Sequence, residues 1–219
     1  MAGGSGGGVD NGLRERKKRR TRANLVDAAL ELSERQGYER TTVEQIAYAV
    51  DVSPRTFTRY FPTKDSVILS LLDSLTAAVN AELVLQPADM PPFQALLAAN
   101  LAVMERARHG GGPMGGQRIV SFLRTLNNSP ILQRLATDVR SHGTSDAMAT
   151  RLNVSADDRA VKLISAVWAA IVASAWGTLG TPAGPQISSA ESVADLMQRR
   201  LVETFAEFTD VVQGLSTAS

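Results

Sequence analysis

Apolar residues recur at helical spacing along most of the chain. Leu25, Ala28, Ala29 and Leu32 share one face of a first helix that runs to about Gln36 and stops at Gly37. From residue 93 onward the same spacing predicts helices at about 93–108, 117–127, 130–152, 156–179 and 189–212, with breaks at 110–116 and 180–185. No segment alternates with period two, so the pattern predicts an all-α protein.

The segment 41–64 predicts two short helices joined by a tight turn. Thr42 with Gln45 forms a capping-box pattern at the start of one helix, and Ser53 followed by Pro54 marks the start of the next. Phe57 and the following Phe61 fall on the face turned toward the first helix. The face turned to solvent carries Arg55, Thr56, Thr58, Arg59 and Tyr60. Arg and Thr side chains on such a face are suited to reach DNA bases and phosphates.

This stretch resembles the N-terminal domain of TetR-family transcriptional repressors. The resemblance runs from about Arg20 to Leu72 and rests on the order Thr-Thr-Val, Ile-Ala, Val-Ser, Thr-Phe and Tyr-Phe-Pro-Thr-Lys. It implies a helix-turn-helix domain, about nine helices in all, and a homodimer that binds a palindromic operator. The residues assigned to DNA are Arg20, Arg22, Thr42, Ser53, Arg55, Thr56, Thr58, Arg59, Tyr60 and Lys64.

Two positions depart from the family pattern. Asp51 stands where these repressors usually carry Gly, so we expect an Asp in the left-handed conformation at the turn. Thr58 stands where many members carry Tyr.

The same reasoning divides the chain into three parts. Residues 1–19 form a Gly-rich and basic tail that we expect to be disordered, 20–72 the helix-turn-helix domain, and 73–219 a helical effector-binding and dimerisation domain. The basic run from Arg14 to Arg22 is either an arm that tracks phosphates or a solubilising tail.

The second domain is expected to hold a small hydrophobic effector. Segment 117–152 is similar to actinobacterial repressors of the mycofactocin-regulator type, which suggests an acyl-type compound. Most apolar residues of this domain are expected to form its core. The residues that we expect to line a pocket are Trp168 and Trp176, with Phe122 opposite. The full set proposed for the effector is Leu97, Leu101, Met104, Phe122, Leu126, Trp168, Val172 and Trp176.

The last helix carries more apolar surface than a terminal helix needs to cover its own domain. Its broad face predicts a dimer interface, the alternative being that the subunit's own core absorbs it. The residues of that face are Val193, Leu196, Met197, Leu201, Phe205 and Phe208.

Composition narrows the remaining possibilities. With no Cys and two His, the 219 residues offer no disulfide, thiolate site or His-rich metal centre, and we expect neither metal nor cofactor. Residues 1–64 hold 12 Lys/Arg against 8 Asp/Glu, and residues 65–219 hold 11 against 14, so the first part suits a polyanion. No signal peptide is recognised and the longest apolar run is shorter than the ~20 residues of a membrane span, so we expect a cytoplasmic protein.

Two other functional classes are compatible with a helical chain. Asp138 and His142, at i and i+4, are the nearest approach to a catalytic pair, but no nucleophile elbow, phosphate loop or metal spacing accompanies them. A helical hydrolase or transferase, or a helical interaction protein that does not bind DNA, therefore ranks behind the repressor.

Overall fold

The computed structural model describes residues 7–109, 117–185, 187 and 190–217, which contain nine α-helices and no strand. The all-α prediction is confirmed. The predicted break at 110–116 and the first six residues of the predicted tail lie outside the described residues. The helices are α1 (Gly7–Gln36), α2 (Val43–Ala49), α3 (Pro54–Tyr60), α4 (Lys64–Leu85), α5 (Pro92–Arg108), α6 (Gln117–Asn127), α7 (Pro130–Leu152), α8 (Arg159–Trp176) and α9 (Ala190–Thr217).

The chain divides into two compact units, Met1–Ile68 and Leu69–Ser219. The boundary falls inside α4, slightly earlier than the boundary after Leu72 that the sequence suggested. Thr63 caps this helix, since Ser66 N donates to Thr63 Oγ1 at 3.1 Å and Thr63 N donates to Ser66 Oγ at 3.1 Å.

In the first unit, the long helix α1 packs against α2, and α2 packs against α3. Both short helices have seven residues and depend on shared burial, because helices of two turns are not stable alone. Their contact buries Ile46, Ala47 and Phe57 completely, and Leu25 of α1 is equally buried.

The predicted disordered tail is wrong for residues 7–19, because α1 begins at Gly7. Arg, Lys and Glu fill most of the segment between Arg14 and Arg20, and these residues favour helix in solution. A segment of such residues that adjoins a packed helix extends it at little cost, since the nucleus is already formed.

In the second unit, α8 packs between α7 and α9, and α9 also packs along α5. One tight approach joins α4 to α7, where a Cβ on Gly143 would stand 2.8 Å from Thr76 Cγ2. Asn80 Nδ2 donates to the Gly143 carbonyl there at 2.7 Å. The buried Asn127 donates to the carbonyls of Trp176 and Leu179 at 2.7 and 2.8 Å, which fixes the end of α8 against α6.

By length and composition, the stretches Pro54–Leu85 and Arg159–Trp176 are apolar enough to cross a membrane. About half of each apolar window is buried inside the protein, and core helices pass the same test of composition. Within the second stretch, Trp168, Ala169 and Trp176 are buried.

Candidate functional site

The turn between α2 and α3 is closed by main-chain hydrogen bonds. Val52 N donates to the Ala47 carbonyl at 3.0 Å, and Asp51 N donates to the Tyr48 carbonyl at 3.1 Å. This is the Schellman pairing, which places the residue after the helix cap in the left-handed region. That residue is Asp51, with φ of +55°, so the expected left-handed Asp is confirmed.

The caps of both short helices are formed as predicted. Gln45 N donates to Thr42 Oγ1 at 3.3 Å, and Thr42 N donates to Gln45 Oε1 at 3.0 Å, which completes the capping box. Ser53 Oγ accepts from Thr56 N at 3.1 Å at the start of α3. These bonds fix the direction in which α3 leaves the turn.

One side of α3 is core and the other faces solvent. Phe57 is fully buried and its ring centroid lies 5.9 Å from that of Phe61, so the two rings anchor the helix from below. Thr56 and Tyr60 are partly exposed, and three side chains are exposed: Arg55, Thr58 and Arg59. An exposed helix face with these donors has the chemistry of a major-groove reader.

Two of the predicted phosphate contacts are held by internal interactions. The Arg22 guanidinium lies 4.3 Å from the centre of the Phe61 ring, although its side chain stays exposed. Lys64 Nζ donates to the Tyr38 carbonyl at 2.9 Å and lies 4.1 Å from the centre of the Tyr38 ring. Both cations are therefore oriented by the unit itself, and their contact with phosphates stays a prediction.

Tyr38 is a residue that sequence reasoning missed. Its ring is buried, and its hydroxyl donates to Asp65. Burial, and then the hydrogen bond to Asp65, raise the pKa of the Tyr38 phenol well above its usual value, so the ring stays neutral. Tyr38 thus ties the loop after α1 to the first turn of α4. The sequence Tyr-Glu-Arg after Gly37 has no helical spacing of apolar residues, so nothing in it predicted that Tyr38 would be buried.

The helical start of α1 adds a second group of cations to the interface. Arg14, Lys17, Lys18 and Thr21 recur at i, i+3, i+4 and i+7 and so share one helix face. Together with Val52, Thr56, Arg59 and Tyr60 they line one surface groove. Arg20 is exposed in the same helix. In a disordered arm, these cations would have no fixed positions relative to one another.

Exposed Tyr48 on α2 is a further candidate that the sequence did not single out. Tyr48 is 87% exposed, which is the largest value among the exposed large hydrophobic residues in the described part of the chain. It lies one turn before the α2–α3 turn, on the face of α2 turned away from Ile46 and Ala47.

The second unit holds a small internal cavity of about 30 Å³. Three of the predicted effector residues line it, namely Trp168, Val172 and Trp176, all on α8. The Trp176 indole is fixed by donating from Nε1 to the Met197 carbonyl at 3.0 Å. The rest of the wall comes from α4, α5 and α7 and consists of Leu72, Leu75, Thr76, Val79, Asn100, Arg140 and Thr144.

A larger cleft of about 500 Å³ adjoins α7. Of the predicted effector residues, Leu126 lines it, and Arg140 belongs to both the cleft and the internal cavity. Four other predicted residues line neither, and of these Met104 and Phe122 are buried while Leu97 and Leu101 are half-buried. Phe122 therefore does not stand opposite the two tryptophans in this cavity.

The predicted dimer face is corrected by the structure. Val193, Met197 and Leu201 are buried within the single chain, because α9 turns them toward its own unit. A side chain that is fully covered by its own subunit has no surface left for a partner. Leu196 is half-buried.

The two phenylalanines of that face also pack internally. The Phe205 ring centroid lies 6.2 Å from the Trp168 ring centroid, and that of Phe208 lies 5.4 Å from the Phe93 ring centroid. Both rings are half-buried. The apolar side chains that stay exposed on the last two helices are others, including Leu163 on α8 and Val202 and Val211 on α9.

A stripe of small residues continues the exposed surface of α8. Leu163, Ala166, Ala170 and Ser174 are exposed and repeat at helical spacing. Small side chains on one helix face allow another helix to approach closely.

Asp138 and His142 do not form a catalytic pair. His142 Nδ1 lies 2.8 Å from the main-chain carbonyl oxygen of Asp138, a contact within the helix, and both residues are exposed. Among the residues that the structure describes, no three His, Cys, Asp or Glu side chains are grouped as metal ligands.

Comparison with known families agrees with the geometry of the first unit. Residues 25–71 match the model of the bacterial regulatory proteins of the tetR family. This segment is similar to the N-terminal part of tetR-family regulators. The matched residues span the end of α1, the capped pair α2 and α3, and the first turns of α4, so they include the exposed face of α3.

A segment of 120 residues is 45% identical to the HTH-type transcriptional regulator TcmR of Streptomyces glaucescens. It covers 54% of this chain and 53% of that regulator, so the match spans about half the length of the relative.

Two solved structures are similar to the chain at low identity. The repressor FadR of Thermus thermophilus, solved with lauroyl-CoA, is 20% identical with a TM-score of 0.46, over 84% of this chain and 91% of FadR. The flavonoid-responsive regulator FrrA is 19% identical with a TM-score of 0.43, over 88% of this chain and 96% of FrrA.

Proposed function

We propose that this chain is a TetR-type transcriptional repressor of the cytoplasm that binds a palindromic operator as a homodimer and is released by a small hydrophobic effector. The observation that carries the proposal is the pair α2 and α3, whose caps and Schellman turn leave Arg55, Thr58 and Arg59 exposed on one helix face. The match of residues 25–71 to the tetR family supports the same function.

The second copy of the chain is proposed to bind along α8 and α9. Leu163 is 62% exposed and Val211 is 63% exposed, and the small residues of α8 extend this surface. A reader of two symmetric half-sites needs a two-fold axis, and an exposed apolar helix face supplies a self-complementary interface. This revised face replaces the one predicted from the spacing along α9.

The effector is proposed to act through α4. This helix begins at Lys64, where it is tied to Tyr38, and further along it contributes Leu72, Leu75 and Val79 to the internal cavity. The cavity of about 30 Å³ has room for about one water molecule. A larger ligand therefore binds only a conformer in which α4 or α8 has moved, and its binding shifts the population toward that conformer.

The DNA-binding claim is tested by selecting sequences from random double-stranded DNA with the purified full chain. We expect a two-fold symmetric consensus. Arg55→Ala is expected to weaken binding to it by about 1–3 kcal/mol and to relax the preference at one base pair in each half-site. Arg35→Ala, an exposed cation at the other end of α1, is the matched control and should leave both unchanged. Failure to enrich any sequence, or equal loss by Arg55→Ala on selected and random DNA, would contradict the reading role.

A further inference from the structure

We propose that Arg140 binds an anionic group of the effector, and that the effector is an apolar compound carrying one carboxylate. The inference rests on the proposed function, since it specifies what the effector site accepts. It assigns a role to a side chain that neither the sequence pattern nor the family match singles out.

Arg140 is a half-buried cation whose buried Nε has no protein partner. The Nε atom is buried and has no hydrogen-bond partner among the residues that the structure describes. Burial lowers the pKa of Arg140 to about 10, so the group still carries its charge at neutral pH. Buried arginines are almost always paired, because an unpaired charge away from water is costly.

The place of Arg140 suits a ligand contact. It lines both the internal cavity and the larger cleft, so its side chain stands where the two meet. The described lining of both spaces includes no Asp or Glu that could neutralise it. The remaining polar residues of the lining are neutral or cationic: Thr76, Asn100 and Thr144 in the cavity, and Asn127, Gln133, Arg134 and Thr137 in the cleft.

The two sides of Arg140 differ in polarity, and this difference indicates how a ligand lies. On the cavity side, Trp168, Trp176 and Val172 would contact an apolar body in the conformer in which the cavity of about 30 Å³ has widened. The cleft has the volume of an ordinary small-molecule site. A planar guanidinium pairs with a carboxylate through two parallel hydrogen bonds, which favours this anion over a hydroxyl of similar size.

The chain provides its own reporter for the test. Its two tryptophans, Trp168 and Trp176, both line the cavity, so intrinsic fluorescence reports binding beside Arg140. We would titrate the full-length protein with decanoate and with 1-decanol, which share an alkyl chain and differ in the anionic group. Wild type is expected to bind decanoate roughly tenfold or more tightly than decanol. Equal affinity for the two probes, or no decanoate binding, would overturn the proposal.

Variants assign the preference to Arg140. Arg140→Met should abolish the preference for decanoate, and Arg140→Lys should keep part of it. Arg134→Met, which removes the exposed arginine of the same cleft, is the matched control and should behave as wild type. A decanoate preference that survives in Arg140→Met sinks the assignment.

Thermal melting separates a ligand role from a structural one. Since Arg140→Met removes a half-buried cation whose Nε is unpaired, the variant is expected to melt at or above the wild-type temperature. Clear destabilisation would mark Arg140 as structural and overturn the proposal. DNA binding by the same preparations is measured separately. If the wild-type protein binds its operator but shows no preference for decanoate, this inference alone is rejected. If the wild-type protein prefers decanoate but selects no DNA sequence, the repressor function is rejected instead.

Discussion

Asp51 has the least favourable backbone conformation in the pair of helices α2 and α3. Its backbone takes the left-handed conformation with φ of +55°, which Asp tolerates better than most residues but Gly adopts freely. Asn153 solves the same problem after α7, where Val154 N donates to the Ala149 carbonyl at 3.0 Å. In both places the Schellman hydrogen bonds hold a residue that has a Cβ in a region natural to Gly.

We therefore expect Asp51→Gly to raise the free energy of unfolding by about 0.5–1 kcal/mol, because it removes the steric cost of the left-handed backbone. Urea unfolding of the purified chain measures the change. Asp138→Gly, the same substitution in the middle of α7, should lower stability by a similar amount. A fall in stability for Asp51→Gly would show that the Asp side chain contributes more than the strain costs.

At the scale of the element, α1 has the largest consequence for binding. A flexible arm and a helix both bring cations toward DNA, but the helix fixes which cations share a face. Arg14, Lys17 and Lys18 line the groove beside α3, whereas Arg35 lies in the last turn of α1. Lys18 and Arg35 are about 25 Å apart along the helix, at 1.5 Å per residue.

We expect Lys18→Ala to reduce the slope of log affinity against log salt by about one unit without changing the preferred sequence. Fluorescence anisotropy at several salt concentrations gives the slope. Arg35→Ala is the control and should leave the slope as in wild type. Were both variants to change it equally, the cations of α1 would act only through net charge, and the groove would have no special role.

At the scale of the whole molecule, assembly depends on which apolar residues the single chain leaves uncovered. Val193, Met197 and Leu201 are buried by the subunit itself. Leu163 and Val211 remain exposed on α8 and α9, so these two helices are the proposed seam.

Leu163→Glu is expected to give a folded monomer, because an interface that buries an unpaired carboxylate loses several kcal/mol. Light scattering measures the mass and circular dichroism the helix content. Val84→Glu, on an α4 residue that is 71% exposed, is the control and should stay dimeric. The monomer should also lose operator affinity, since two half-sites bound through one dimer gain far more than either alone. A dimeric Leu163→Glu would count against this face.

The sequence predicted those features that depend on near neighbours. The Thr42 and Ser53 caps, the left-handed Asp51 and the end of α1 at Gly37 follow from bonds between residues a few positions apart, and the structure confirms each of them. The helix bounds of the second unit agree closely for the same reason, as with α6 at Gln117–Asn127 and α7 at Pro130–Leu152.

Periodicity could not decide what covers a helix face. It showed that α9 has an apolar face, but whether Leu201 meets its own core or a partner depends on where α5 and α8 lie. The helical start of α1 was not predicted because the composition of residues 7–19 describes that segment alone. The packed helix that follows it favours the helical conformation over the disordered one. The sequence did not single out Arg140 either, because whether a charged side chain has a partner depends on the residues that pack around it.

The sequence by itself thus determined the all-α class and the capped helix pair, because local hydrogen bonds and helical spacing depend on residues that are close together in the chain. Tertiary structure alone decided that Trp168 and Trp176 line one cavity with Arg140, that Tyr38 holds Lys64, and that Leu163 is exposed while Leu201 is not. These relations join residues far apart in the chain, and burial and pairing are defined only once the helices have packed.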